Sequence, residues 1–159
     1  MMFLFAMIPE FYQYQCPTKI VYGVGLAKDF SVELESLGLK KLIVVTDKIL
    51  QEIKLIDPIL EGIKAAGIEI SEVYSNVPPN SEVGTVKECA DIAIRHKVDG
   101  ILAIGGGSVL DTAKAANILF TLGGDLVNDY SGAQTIDTSL KSFIVIPTTA
   151  GTGSEVTQA

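Results

Sequence analysis

An apolar run, Gly100-Ile101-Leu102-Ala103-Ile104, ends in Gly105-Gly106-Gly107-Ser108, and from Val109 onward the chain takes up helical spacing. No other stretch restricts the fold as much. A short continuous apolar run bounded by glycines is a strand buried on both faces, and such strands belong in parallel sheets covered by helices. A strand that passes straight into a helix through glycines brings bare backbone N–H groups to the helix N-terminus, an arrangement suited to phosphate. Ser108 and Asp111 also have the spacing of a capping box, with Ser108 capping the helix and Asp111 reaching back to the cap's own N–H. On these residues alone the loop serves either anion binding or plain chain reversal.

The flanking segments repeat the strand-then-helix order. Thr18–Tyr22 reads as a strand stopped by Gly23-Val24-Gly25, and Leu26, Phe30, Leu34 and Leu37 mark a helix ending at Gly38. Leu42–Thr46 is a second buried strand, ending at Asp47. A helix over 56–66 follows, with Asp57 as N-cap and Pro58 in its first position, and then an alternating strand over 68–74. The loop Val77-Pro78-Pro79-Asn80-Ser81 leads to a helix over 82–97; the helix after the glycines runs from 109 to about 120, residues 121–141 read as a long loop, and Phe143–Ile146 is a last buried strand closed by Pro147. Alternating strands and helices predict an α/β fold with a doubly wound, mostly parallel, Rossmann-like sheet.

With 159 residues, 48% of them hydrophobic, the chain suits one domain with its own core, expected to cover 1–159. Residues 1–6 read as an extension ahead of Met7. Twelve basic against nineteen acidic residues give a net charge of −7, which argues against a nucleic-acid surface and against polybasic membrane attachment. The apolar start lacks a basic flank and is too short to span a bilayer. Cys16 and Cys89 stand far apart without metal-ligand or disulfide spacing, so a reducing, cytoplasmic setting is expected.

Ligands of doubly wound sheets sit beyond the carboxyl ends of the strands. Three such ends carry polar residues here: Thr46-Asp47, Gly105–Ser108, and Pro147-Thr148-Thr149-Ala150-Gly151-Thr152-Gly153-Ser154. Hydroxyls of Thr148, Thr149 and Thr152 beside the glycine loop suit a pyrophosphate or a ribose, or alternatively form a plain turn. Asp47 either accepts from a ribose 2′-OH, favouring NAD over NADP, or caps the next helix. No stretch completes G-x-G-x-x-G, and no G-x-x-x-x-G-K-[ST] or G-x-S-x-G occurs. His96, the single histidine, lies between Arg95 and Lys97 at a helix end, where a cation complements the helix dipole.

GGGSVLDTAK at 105–114 and IPTTAGTGSEVT at 146–157 resemble the two N-terminal motifs of the iron-containing (group III) alcohol dehydrogenases, relatives of glycerol dehydrogenase and dehydroquinate synthase. The resemblance implies that Gly106, Gly107 and Ser108 hold the pyrophosphate of NAD or NADP, with Asp111 supporting the loop. It implies that Thr148, Thr149 and Thr152 line the cofactor and that Asp47 meets the adenine ribose. Asn80 corresponds to the asparagine of a P-N-P-[TS] loop, although Ser81 stands here where that pattern has its second proline.

The family pairs protomers through N-terminal strands, so a homodimer or larger assembly is expected. Its Fe²⁺ is bound by one Asp and three His of a helical second domain, beyond Gln158-Ala159. The expectation is therefore the dinucleotide-binding half of a dehydrogenase that transfers hydride between NAD(P) and a small alcohol or aldehyde, with no catalytic or metal residues in these 159. A glycerol or polyol branch and a non-catalytic nucleotide-binding module are the alternatives.

Overall fold

The computed structural model describes residues 18–132 and 135–157, so the expectations for residues 1–6 and for Cys16 lie outside the described residues. Four strands, β1 (Lys41–Val45), β2 (Glu69–Tyr74), β3 (Gly100–Gly105) and β4 (Ser142–Pro147), form one all-parallel sheet in the order β2-β1-β3-β4. The helices are α1 (Ser31–Ser36), α2 (Lys48–Glu52), α3 (Asp57–Ala65), α4 (Val83–His96), α5 (Gly107–Leu122) and α6 (Leu126–Tyr130).

Side chains of the central strands alternate between two cores. Ile43, Val45, Ile101 and Ala103 meet the apolar faces of α4 and α5. Leu42, Val44, Leu102 and Ile104 meet Phe30, Leu34, Ile56, Ile59 and Ile63 on the opposite side. All six residues of β3 are buried, as its unbroken apolar run requires. Gly62 of α3 lies so close to the 3-10 turn Leu26–Lys28 that an added Cβ would stand within overlap of the Lys28 carbonyl.

The chain passes from β1 outward to β2, then crosses back over β1 to β3 and on to β4. The direction of winding therefore reverses between β1 and β3, and the crevice above their carboxyl ends is the topological switch point where such sheets take ligands.

Several local expectations change. Residues 18–23 form no strand, and Ile20 and Tyr22 are 71% and 92% exposed. Their β-forming composition finds no ladder partner among the described residues, and a strand exists only through its partner. The helix expected over 26–37 is interrupted, because the Asp29 carboxylate accepts from the Ser31 hydroxyl (2.9 Å) and the chain restarts at Ser31.

Ile56, not Asp57, is the cap of α3, and Asp57 and Pro58 occupy its first turn, where an acid and a proline are both favoured. The segment 121–141 is not all loop. Asp125 accepts from the amides of Val127 and Asn128 at 3.1 and 3.0 Å, Asp129 accepts from the Asp125 amide at 2.7 Å, and this reciprocal cap starts α6. The β4 strand is half-buried because it lies at the edge of the sheet.

Candidate dinucleotide site

The three glycines have different duties. An added Cβ on Gly105 would stand 2.6 Å from Val109 Cγ2, so Gly105 allows the strand to fold directly under the first turn of α5. One on Gly106 would stand 3.0 Å from Thr149 Oγ1, and one on Gly107 would stand 3.3 Å from Thr152 Cβ and Ser154 Oγ. The glycine loop and the loop after β4 therefore face each other, as expected if β3 and β4 are neighbours. The Thr148 amide donates to the Gly105 carbonyl at 2.9 Å and continues the ladder one residue past β4.

The capping box at Ser108 does not form. The helix begins two residues earlier, with Gly106 as its cap and no side-chain cap bond. Ser108 lies inside the first turn, where its Oγ accepts from the Asn80 amide at 3.2 Å. Among the described residues, the amides of Gly107 and Ser108 have no acceptor, so the positive end of α5 faces the crevice with unspent donors.

Asn80 itself sits at φ 70°, a left-handed conformation that asparagine tolerates. Its neighbour Ser81 donates to the Ser108 carbonyl at 3.1 Å and accepts from Thr112 at 3.0 Å. Three hydrogen bonds thus hold the 79–82 turn where the resembling pattern has a proline.

Asp47 lies at the end of β1 and caps α2: its Oδ1 accepts from the Leu50 amide at 2.9 Å. One carboxylate oxygen is committed to the helix and the residue remains half-exposed. Beside it the Thr46 hydroxyl is buried with no partner among the described residues. Asp111 is exposed and lines a cavity of about 390 Å³ together with Lys114, Leu126, Tyr130 and Thr157. Thr148, Thr149 and Thr152 are exposed, and Thr152 Oγ1 lies 3.4 Å from Glu155 Oε2. The crevice thus brings together Gly106, Gly107, Ser108, Asn80, Thr149 and Thr152. Thr148 joins them through the ladder, Asp47 stands at the neighbouring strand end, and Asp111 lies about one turn along α5 from Gly107.

Lys114 had no role in the sequence reading beyond its place in the first motif. Its ammonium donates to the carbonyls of Ser154 (2.7 Å) and Thr157 (2.9 Å) and to Thr157 Oγ1 (2.8 Å). Burial lowers its pKa, and the nearby Asp111 and Glu155 carboxylates oppose that shift. The signal available in the sequence was its position seven residues after Gly107, two helical turns along the same face of α5.

No group of three or more His, Cys, Asp or Glu residues able to hold a metal occurs among the described residues. His96, at the end of α4, faces Glu72 of β2 at 3.3 Å, away from the crevice. No helix among the described residues is long and apolar enough to cross a membrane.

A doubly wound parallel sheet with free helix-N-terminal amides at its switch point defines a class of proteins that bind anionic, phosphate-bearing ligands. The chain belongs to the iron-containing alcohol dehydrogenase family, whose model matches residues 17–159. It is 38% identical over 152 residues to choline dehydrogenase of Bacillus subtilis (strain 168), covering 94% of this chain and 37% of that protein. It is 34% identical over 141 residues to the NAD-dependent methanol dehydrogenase of Bacillus methanolicus, covering 89% of this chain and 36% of that one.

Among solved structures, 1,3-propanediol oxidoreductase matches with a TM-score of 0.85 and 33% identity, over 92% of this chain and 38% of that chain. Sulfoacetaldehyde reductase from Bifidobacterium kashiwanohense in complex with NAD+ matches with a TM-score of 0.82 and 30% identity, over 94% and 39%. The chain spans less than two fifths of the length of each of these relatives.

Proposed function

We propose that residues 1–159 form a single dinucleotide-binding domain that seats NAD(H) for hydride exchange with a small alcohol or aldehyde, within an iron-dependent alcohol dehydrogenase. The observation that carries this reading is the crevice at the β1/β3 switch point, where the unspent amides of Gly107 and Ser108 face the hydroxyl-rich loop after β4. The NAD-dependent relative and the NAD+-bound neighbour structure support the choice of cofactor.

In this reading the amides of Gly106, Gly107 and Ser108 hold the pyrophosphate against the positive end of α5. Thr148, Thr149 and Thr152 supply hydroxyls along the other wall, and Asn80 closes the crevice from the 79–82 turn. Asp111 supports the glycine loop from about one turn along α5. The free oxygen of Asp47 accepts from the adenosine ribose, and its charge repels a 2′-phosphate. The nicotinamide, when bound, supplies the hydride acceptor. The described residues do not gather a ligand set for Fe²⁺, so no step through the metal is assigned to them. The exposed Ile20, Tyr22 and Val24 offer a second copy a β-forming segment to pair with; a concentration-independent monomer in sedimentation equilibrium would refute that pairing.

Isothermal titration of the chain with NAD+ and with NADP+ tests the function. Saturable binding of NAD+ in preference to NADP+ is expected, together with no alcohol oxidation by the 159 residues alone when Fe²⁺ is supplied. Absence of binding by either dinucleotide would overturn the reading.

A further inference from the structure

The loop after β4 is tied to the β3–α5 unit at both ends. At its start the Thr148 amide is tied to the Gly105 carbonyl. In its middle Gly151 and Gly153 adopt left-handed backbone, at φ 87° and 73°, which turns the chain back over the start of α5. At its far end the only side chain of α5 that hydrogen-bonds to it, among the described residues, is Lys114, with three bonds to Ser154 and Thr157. Gly107 and Lys114 lie two turns apart on one face of α5, so the loop touches that helix where Thr152 and Ser154 approach Gly107 and again where the ammonium holds its end.

We infer that Lys114 is a positioning residue for the dinucleotide: by clasping the carbonyls of Ser154 and Thr157 it sets the gap between the amides at the start of α5 and the hydroxyls of Thr149 and Thr152. This inference rests on the reading of the crevice given above. The three oxygens within hydrogen-bond distance of the ammonium all belong to the loop, so Lys114 acts through the loop and not as a direct partner of a phosphate. Its half-buried position reinforces the role. A cation drawn out of water is held there only by acceptors that answer each of its protons, and these three acceptors belong to the loop.

The test is amide hydrogen exchange over residues 149–157 in the ligand-free chain, paired with NAD+ titration, for the wild type, Lys114→Met and Lys114→Arg. Lys114→Met removes every bond while keeping the apolar stem. It is expected to speed exchange in that segment, leave β1 and β3 protected, and weaken NAD+ binding about tenfold or more, since hydrogen bonds to charged groups contribute on that scale. Lys114→Arg keeps the charge and several donors and is expected to recover part of both effects.

Unchanged exchange at 149–157 in Lys114→Met overturns the inference, and so does faster exchange with wild-type affinity. Failure of the wild type to bind NAD+ would strike the proposed function, while the exchange arm would still judge the clasp by itself. If Lys114→Met does not fold, Lys114→Gln keeps part of the apolar stem and replaces the three-proton ammonium by an amide that can answer at most two of the three loop oxygens. A smaller rise in exchange at the same amides supports the clasp, and no rise overturns it.

Discussion

Gly107→Ala separates a glycine kept for the turn from a glycine kept for a ligand. Gly107 opens α5 with no positive φ, so alanine can adopt its backbone conformation. Replacing glycine by alanine at such a site stabilises the fold by about 0.4–1 kcal/mol through the unfolded chain. Against this stands a new methyl 3.3 Å from Thr152 Cβ and Cγ2 and from Ser154 Oγ, a separation at which neighbours give way by a few tenths of an ångström. The two effects are of similar size, so the melting temperature is expected to stay within about 4 °C of the wild type. The methyl, however, occupies the gap between the α5 amides and the second loop. A pyrophosphate pushed back from one charge-assisted hydrogen bond loses about 1.5–3 kcal/mol, or roughly ten- to more than a hundredfold in Kd. Calorimetric titration with NAD+ beside a thermal melt reads both quantities. A variant that melts normally and binds NAD+ as tightly as the wild type would refute the placement of the pyrophosphate, and one that fails to fold would show the glycine to be structural.

Asp47→Asn and Asp47→Ala divide the two duties of that residue. Asparagine caps a helix as well as aspartate does, so Asp47→Asn should keep the melting temperature while raising NADP+ affinity relative to NAD+; Asp47→Ala should also lose about 1 kcal/mol with the Leu50 cap. An unchanged NAD+/NADP+ ratio in Asp47→Asn would reduce Asp47 to a cap. A third expectation concerns alkaline pH. Burial pushes the Cys89 thiol up to about 12 from an ordinary 9.0, and burial and the Glu88 carboxylate raise the Tyr74 phenol in the same direction. A folded-state pKa above the unfolded one means that the native state holds its proton longer. The associated stability is therefore fully present below about pH 9 and is lost as pH rises towards 12, at most roughly 4 kcal/mol for a three-unit difference at Cys89. Urea midpoints at pH 8 and pH 10.5 should fall with pH, with a shallower fall in Cys89→Ala; equal slopes in the two proteins would show that the thiol is not the source.

The parts of this architecture that could be read in advance are those in which one local pattern admits one physical solution. The unbroken apolar runs of β1 and β3 suit strands covered on both faces, and the helical spacing from Val109 marks the helix that follows the glycines. What depended on a partner was not legible. A strand over 18–22 needs a neighbouring strand, which its own composition does not name, and among the described residues none pairs with it. Cap assignments failed where the helix began ahead of the expected cap, as at Ile56 and Gly106, with no side chain capping it. Ser108 has the spacing of a capping residue, yet its hydroxyl is taken by the Asn80 amide from 28 positions upstream, and the helix starts on a glycine instead. The overlooked reciprocal cap at Asp125 and Asp129 was present in the sequence but hidden in a stretch whose composition reads as loop.

Lys114 shows why the rest of the site needed three dimensions. Within its motif it is one more solvated helix lysine, and its acceptors lie 40 and 43 residues away on a loop with no regular structure. Only the adjacency of β3 and β4 brings that loop over α5, and only then does a lysine two turns below the glycines become the tie between the two walls of the crevice. The two motifs that the sequence presents as separate punctuation are therefore one device. The first supplies the amides, the second supplies the hydroxyls, and the side chain at the end of the first fixes the distance between them.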